Sequence, residues 1–162
     1  MITFNKEDLP IVIHGKEGSG ASFFSVKFIA ELAKAGNAIT FWSAYHMAKD
    51  EFRKEVGGEL NQQITIIENE DPNLTTELFK TDPNIILFVK NFEVIPEDIR
   101  TKLLKVRLLI ISGNMENVLT KEQILEFPIK ILFSEYPGVD LPSLEKYEGY
   151  MFSKNKNEKV KI

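Results

Sequence analysis

The stretch IVIHGKEGSGAS, residues 11–22, decides the fold of this chain. Its first part, residues 11–14, has the apolar character of a buried strand, and a glycine-rich turn follows it. From residue 22 to residue 35 apolar side chains recur at helical spacings, and Gly36 then supplies a helix stop. A turn between a strand and a helix is a place where backbone N–H groups and the helix dipole can surround a phosphate.

Apolar runs of strand length alternate with segments of helical period along the rest of the chain. Strands are predicted at residues 11–14, 38–42, 64–67, 84–89, 106–112 and 129–133. Helices are predicted at residues 22–35, 44–56, 74–80, 96–104 and 120–126. Pro96 suits a first helical turn and Thr120 suits an N-cap. Strands separated by helices indicate a mainly parallel sheet that is covered on both faces.

The end of the chain departs from this alternation. Residues 137–147 have the character of a loop, and residues 148–153 and 158–162 flank a Lys-Asn-Lys-Asn turn. This pattern is typical of an antiparallel β-hairpin added to the edge of a sheet. The predicted fold class is therefore α/β, a three-layer α/β/α sandwich with a mainly parallel sheet and a C-terminal antiparallel hairpin.

The composition fits a single domain over residues 1–162, with its core at residues 10–135 and the loop and hairpin at residues 136–162. Hydrophobic residues make up 43% of the chain and charged residues 27%, which excludes a disordered chain. The lack of cysteine excludes disulfides and thiolate metal sites. No apolar run approaches the roughly 20 residues that cross a bilayer, and residues 1–10 lack a secretory pattern. We therefore expect a cytoplasmic protein with no membrane contact.

The glycine-rich turn has the form G-x-x-x-x-G-A-S. It resembles the phosphate-binding loop of P-loop NTPases, G-x-x-x-x-G-K-[S/T], with Ala21 at the position of the lysine. Over residues 10–135 the chain more narrowly resembles a RecA-like ATPase domain with a degenerate Walker A motif. The resemblance implies a set of nucleotide-binding residues: Gly15, Lys16, Glu17, Gly18, Ser19, Gly20, Ala21, Ser22 and Lys90.

The groups that perform cleavage in such domains are replaced in this sequence. The resemblance implies a magnesium-holding Asp where this chain has Lys90-Asn91, and a glutamate where it has Tyr45. A polar sensor has a counterpart in residues 112–114. Because the loss of one preorganised electrostatic group commonly costs about 10²–10³ in rate, we expect no catalytic residues, no metal site and little hydrolysis.

Two lysines offer a substitute for the missing charge. The resemblance places the strand that ends in Lys90 beside the strand of the glycine-rich turn, so that its ammonium would face the turn. Lys16 holds a position at which the deviant Walker-A ATPases carry an extra lysine. The alternatives are that Lys90 pairs with Glu17 or Glu93 and that Lys16 is solvated. The expected cofactor is ATP, ADP or a bound phosphate or sulfate, with no cofactor as the alternative.

The C-terminal segment is basic, although the net charge of the whole chain is −4. Its lysines are Lys154, Lys156, Lys159 and Lys161. Solvated lysines that prevent edge-to-edge pairing explain them, and contact with nucleic acid is the alternative. His14 and His46 are expected to be packed or surface residues without a metal, and Trp42 is expected in the core.

Three functional hypotheses follow from these residues. The first is a catalytically impaired RecA-like ATPase homologue that serves as a structural or regulatory subunit, with weak or absent nucleotide binding. Its partner would be a second copy or an active RecA-like ATPase. The second is an active ATPase of a DNA-processing or packaging assembly that uses Lys90 or Lys16 in place of the missing lysine. The third is a nucleic-acid-binding accessory factor.

Overall fold

A computed structural model describes residues 5–43, 64–68 and 82–162 of the chain. Its strands are β1 (Ile11–His14), β2 (Ile39–Ser43), β3 (Ile64–Glu68), β4 (Ile86–Lys90), β5 (Leu109–Gly113), β6 (Ile129–Leu132), β7 (Glu148–Phe152) and β8 (Glu158–Lys161). Its helices are α1 (Ala21–Lys34), α2 (Glu97–Leu103) and α3 (Lys121–Glu126), with short 3₁₀ helices at Lys6–Asp8 and Phe92–Val94. The helices predicted at residues 44–56 and 74–80, with Tyr45 and His46, lie outside the described residues.

The strands form one eight-stranded sheet in the order β3-β2-β4-β5-β1-β6-β7-β8. All pairs from β3 to β6 are parallel, and the β6–β7 and β7–β8 pairs are antiparallel. The predicted α/β class, the mainly parallel sheet and the C-terminal hairpin are therefore confirmed. β1 lies between β5 and β6, so the glycine-rich turn that follows β1 leaves the interior of the sheet.

Each face of the sheet carries its own apolar core, because successive side chains of a strand point to opposite faces. On one face Ile13 and Phe88 pack with Phe24 and Ile29 of α1. The other face has a second cluster to which α2 and α3 contribute, with these buried members: Val12, Leu87, Val89, Ile99, Leu103, Leu109, Ile111 and Ile124. Helices on both faces give the three layers that the alternation of elements predicts.

Local sequence signals explain where the helices begin and end. Helix α1 ends at Lys34 and is followed by a left-handed residue, Gly36 (φ +97°), and the N–H of Asn37 donates to the carbonyl of Leu32 over 3.2 Å. Helix α3 begins after Thr120, whose side chain accepts from the N–H of Gln123 in a capping box. Both signals are confirmed as predicted. Among the described parts of the chain, no helix is long and apolar enough to span a membrane.

The strand order corrects one expectation about Lys90. Strand β4, which ends in Lys90, pairs with β2 and β5, whereas β1 pairs with β5 and β6. The expectation that β4 lies beside β1 is wrong, because the chain returns through α2 and inserts β5 between them. The carboxyl ends of parallel strands nevertheless share one edge of the sheet, so Lys90 still lies at the edge where the turn lies.

Candidate functional site

The glycine-rich turn connects β1 to α1 at the carboxyl edge of the parallel sheet. Two of its glycines have the left-handed backbone conformation, Gly18 at φ +79° and Gly20 at φ +93°. Residues with a side chain rarely adopt this conformation. The N–H of Ser19 donates to the carbonyl of Lys16 over 3.1 Å, which closes the turn. Gly20 is the N-cap residue of α1, so the positive end of the helix dipole lies at the turn.

The turn leaves several backbone donors without a protein partner. Among the described residues, no hydrogen-bond acceptor meets the N–H groups of Glu17, Gly18, Gly20 and Ser22. Glu17, Gly18 and Ser22 are exposed and Gly20 is half-buried. A set of unpaired amides at the start of a 14-residue helix forms an electropositive concavity, which is the usual chemistry of an anion site.

Small groups occupy the inner side of this turn. A Cβ placed on Gly15 would overlap the Oγ of Ser19 and the methyl group of Ala21, so both groups lie against the Gly15 backbone. Ala21 is only 5% exposed, and its side chain ends in this space. A phosphate at the turn would therefore meet main-chain amides and no lysine from position 21.

A cavity of about 610 Å³, here named the inner cavity, opens on the side of the turn that faces β4 and β5. The following residues line it: Gly15, Lys16, Glu17, Gly18, Gly20, Ala21, Ser22, Lys90, Asn91, Glu93, Val94, Ser112, Gly113 and Asn114. The structure thus brings Lys90 to the turn, although its strand is not adjacent to β1. Lys90 is half-buried, and burial lowers the pKa of its amine. The polar residues 112–114, predicted as a sensor, lie in the same cavity.

A second cavity of about 880 Å³, here named the outer cavity, lies on the other side of the turn. Its walls are Lys16, Gly18 and Ser19 of the turn, Glu116, and the loop at residues 133–147. Lys16 lines both cavities, and its Nζ pairs with Glu116 Oε2 at 3.3 Å. The Lys16 side chain is 52% exposed, so it is solvated, as the alternative expects, and it also lies within ion-pair distance of Glu116.

His14, the last residue of β1, holds the elements around the turn together. Its Nδ1 accepts from the N–H of Met115 over 3.0 Å, so the proton is on Nε2, which donates to the carbonyl of Glu135 at 3.1 Å. Ser134 Oγ lies 3.3 Å from Nε2 and accepts from the N–H of Lys16. His14 is fully buried, and burial lowers its pKa. It is a packed histidine, as predicted.

The C-terminal hairpin touches the turn directly. A Cβ placed on Gly20 would meet the side chains of Ile162 and Tyr147, so both pack against the start of α1. Tyr147 has φ +62°, an unusual value for an aromatic residue. The hairpin and the loop before it therefore form a wall beside the glycine-rich turn.

Ion pairs hold that wall in place. Glu148 is 4% exposed and accepts from the N–H of Glu145 at 2.9 Å and from Lys159 Nζ at 3.2 Å. Both hydrogen bonds lower the pKa of the Glu148 carboxyl, and the one from the backbone N–H of Glu145 has the larger effect. Lys161 pairs with Glu145 at 3.0 Å, and Lys156 pairs with Glu158 at 2.5 Å. These predicted nucleic-acid contacts are thus engaged with carboxylates of the same chain.

A metal site finds no support in the described residues. They contain no group of three or more His, Asp or Glu side chains arranged to hold a metal ion. At the end of β4, where the resemblance implies a magnesium carboxylate, Lys90 lies in the inner cavity. At this position the chain has an ammonium group where the resemblance implies a carboxylate.

Several residues of the site were not predicted as part of it, among them Glu93, Val94, Glu116 and the loop at residues 133–147. Glu93 lines the inner cavity and appeared in the sequence only as an alternative partner of Lys90. Asn91 is left-handed (φ +56°) and precedes the 3₁₀ helix Phe92–Val94, in which Phe92 is fully buried. This reversal directs Glu93 back over the end of β5. The sequence signal for this reversal is an Asn directly after a predicted strand, since Asn tolerates the left-handed conformation.

Comparisons with known proteins support the fold. No family model and no curated protein matches this sequence. The genome packaging NTPase B204 from Sulfolobus turreted icosahedral virus 2 in complex with ATP-gammaS superimposes with a TM-score of 0.68 at 14% identity, over 98% of each chain. The pCW3 conjugation coupling protein TcpA gives a TM-score of 0.54 at 13% identity, over 96% of this chain and 60% of that one.

A DnaB-like replicative helicase is similar as well, with a TM-score of 0.52 at 12% identity over 95% of this chain and 55% of that one. Structures of B204 in complex with AMPPCP and with sulfate also match. At these identities the likeness concerns the fold. Together with the strand order and the turn after β1, it gives this chain the fold of a RecA-like P-loop NTPase.

Proposed function

We propose that this chain is a catalytically impaired homologue of RecA-like ATPases, which binds nucleotide weakly and acts as a structural or regulatory subunit. The observation that carries the proposal is the glycine-rich turn itself. Its amides at residues 17, 18, 20 and 22 have no acceptor among the described residues, while position 21 supplies a methyl group. The anion cradle is retained and the lysine side chain is lost.

The two cavities beside the turn suit the two parts of a nucleotide. The outer cavity, about 880 Å³, has the size of a ligand pocket and is walled by the loop at residues 133–147. The inner cavity is polar, with Lys90 and residues 112–114 in its lining. A nucleotide with its nucleoside in the outer cavity would lay its phosphates across the turn into the inner one. That B204 structures contain AMPPCP, ATP-gammaS and sulfate supports ATP, ADP or a single phosphate as the ligand.

Weak hydrolysis follows from the residues present. Phosphoryl transfer needs cations that stabilise the negative charge developing on the transferred phosphate, and it needs a group that orients the attacking water. Among the described residues, the cations that line the inner cavity are Lys90 and Lys16, and Glu116 lies within ion-pair distance of Lys16; none of the described residues of that cavity takes the place of the lysine missing at position 21. We therefore expect binding without efficient turnover.

Calorimetric titration with ATP and ADP tests binding, and a phosphate-release assay tests turnover. Ala21→Lys is the informative variant, because it restores the lysine next to Gly15. We expect it to tighten ATP binding by about tenfold, since a charged donor then meets the phosphates. Ala21→Met is the matched control, with similar length and no charge. Equal affinities for these two variants would contradict a phosphate site at the turn.

The alternative, an active ATPase that relies on Lys90, has a separate test. Lys90→Ala should weaken ATP binding by about tenfold if this amine neutralises a phosphate. Lys105→Ala removes the same charge from an exposed position that lines neither cavity. Wild-type phosphate release at rates typical of enzymes, abolished only by Lys90→Ala, would favour the active ATPase over the impaired homologue.

The proposed subunit role implies a partner. The structural neighbours are named for genome packaging, conjugation and replication, which supports a setting in a DNA-processing assembly, with a second copy or an active ATPase as partner. Light scattering after size exclusion tests self-association. Nucleic-acid binding through Lys154, Lys156, Lys159 and Lys161 is less favoured, because the last three lie within ion-pair distance of carboxylates.

A further inference from the structure

The inner cavity has an acidic side that a simple phosphate site would not need. Its described lining includes two lysines, Lys16 and Lys90, and two glutamates, Glu17 and Glu93, so their formal charges cancel. Lys16 also forms an ion pair with Glu116, which does not line this cavity. The cavity therefore offers backbone donors for an anion with no net positive charge from these side chains.

Glu93 has a defined place in this cavity. Its Oε2 accepts from the N–H of Asn114 at 3.2 Å, directly after β5. A Cβ on Gly113 would overlap this carboxylate, and Gly113 has φ +147°, so a glycine there both turns the backbone and leaves the space that Glu93 fills. The fit between Glu93 and Gly113 fixes the carboxylate at the end of β5.

That place lies next to the first glycine of the turn. The N–H of Gly15 donates to the carbonyl of Gly113 over 3.2 Å, and β1 and β5 are paired up to His14 and Gly113. The Glu93 carboxylate therefore lies against Gly113, whose carbonyl accepts from the Gly15 N–H, and both Gly15 and Glu93 line the inner cavity. Because the outer and inner cavities share Lys16 and Gly18, a nucleotide with its nucleoside in the outer cavity would extend its terminal phosphate into the inner cavity, which Glu93 lines.

We infer that Glu93 is a specificity-determining residue that makes the site prefer a nucleoside diphosphate over a nucleoside triphosphate when no divalent cation is present. The inference rests on the proposed nucleotide site at the turn. A third phosphate adds negative charge at the end of the chain, where it meets the Glu93 carboxylate in a partly enclosed cavity. Repulsion between like charges a few ångströms apart, in surroundings less polar than water, amounts to about tenfold or more in affinity.

The experiment compares ADP and ATP by calorimetric titration in buffer with EDTA, for the wild-type chain and for Glu93→Gln. The glutamine keeps an acceptor for the N–H of Asn114 and removes the charge. We expect the wild-type chain to bind ADP about tenfold more tightly than ATP, and Glu93→Gln to bind the two within about twofold. The wild-type preference should also shrink as salt is raised, which a purely steric or structural role of Glu93 would not produce.

Glu126→Gln is the matched control, because Glu126 is exposed at the end of α3 and lines neither cavity. It should keep the wild-type preference for ADP. Glu93→Ala serves as a second variant and should lose that preference as well. If wild type and Glu93→Gln show the same ratio of ADP to ATP affinity, the inference is wrong and the proposed site stands. If no variant binds ADP or ATP, both fail together.

Discussion

His14 shows how one buried side chain depends on its protonation state. Its Nδ1 accepts a backbone hydrogen bond from Met115, which requires a neutral ring, and burial lowers the ring's pKa. Glu116 and Lys16 act on the ring with opposite sign, and Tyr136 lies edge-on to it. In the unfolded chain this histidine takes up a proton near pH 6.5, whereas in the fold it resists protonation until lower pH.

The lowered pKa of His14 determines the direction in which the free energy of unfolding changes with pH. Because the unfolded chain binds more protons than the folded one just below pH 6.5, the free energy of unfolding falls as the pH drops through this value. We expect a slope from His14 of up to about 1.4 kcal/mol per pH unit. Urea unfolding of wild type and His14→Gln between neutral and mildly acidic pH measures it.

The carboxylates of the chain also titrate, so the difference between the two proteins is the informative quantity. Wild type should exceed His14→Gln in stability near neutral pH, and this excess should shrink as the pH falls. An excess that stays constant over the range would contradict a neutral, hydrogen-bonded His14.

At the residue scale the sequence indicated the glycine-rich turn between a strand and a helix, since its glycines and the following helical period are local signals. It did not indicate the position of Glu93. That position depends on the left-handed Asn91 and on the insertion of β5, and neither is visible in the spacing of residues 90–93. The contact of Ser134 with the turn joins residues 118 positions apart and is likewise beyond local sequence reasoning.

At the scale of elements, helix α3 illustrates how a cap sets a boundary. It is short, Lys121–Glu126, and its first turn depends on the reciprocal hydrogen bonds of Thr120 and Gln123. Thr120→Ala removes the acceptor for the N–H of Gln123, at a cost of about 1 kcal/mol in the free energy of unfolding. Chemical denaturation measures this loss.

Thr120→Ser keeps the hydroxyl and should lie within a few tenths of a kcal/mol of wild type. If the alanine and serine variants were equally stable, the cap would contribute nothing and the start of α3 would have another cause.

Helices and strands with strong local signals were predictable from the sequence. Their first and last residues were harder to predict. Gly36 and Thr120 mark helix boundaries that the structure confirms. The strand predicted from residue 106 begins at Leu109, because the N–H of Val106 donates to the carbonyl of Leu103 and the chain is still turning at the end of α2. An apolar residue at position 106 cannot by itself distinguish a strand start from a helix end.

At the scale of the whole molecule, stability depends on the central strands that are buried from both faces. Phe88 of β4 is fully buried and packs against Phe41 of β2, with ring centroids 5.2 Å apart. Phe88→Ala should lower the free energy of unfolding by about 3–5 kcal/mol, through lost burial and the cavity left behind. That is a large share of the total stability of an ordinary domain, about 5–15 kcal/mol.

Phe23, 44% exposed on α1, supplies the control. Phe23→Ala should change the unfolding free energy by about 0.5 kcal/mol or less, apart from its contact with Lys27. Similar losses for the two alanine variants in a denaturation experiment would contradict the assignment of Phe88 to the core.

The overall architecture was predictable because alternation of strands and helices leaves few arrangements for a parallel sheet. The order of its strands was not, since periodicity does not state which strand inserts between two others. The adjacency expected for Lys90 was wrong for this reason. Confinement to the cytoplasm and the nature of the partner stay predictions, since they concern surroundings outside the chain.

The packing of Ile162 against Gly20 has a practical use. The chain has no cysteine, so Ile162→Cys would create a unique thiol to which an environment-sensitive dye can be attached. The dye would lie within a side chain's length of the glycine-rich turn. A change in its emission on addition of ligand would then report occupancy in real time, without labelling the ligand itself.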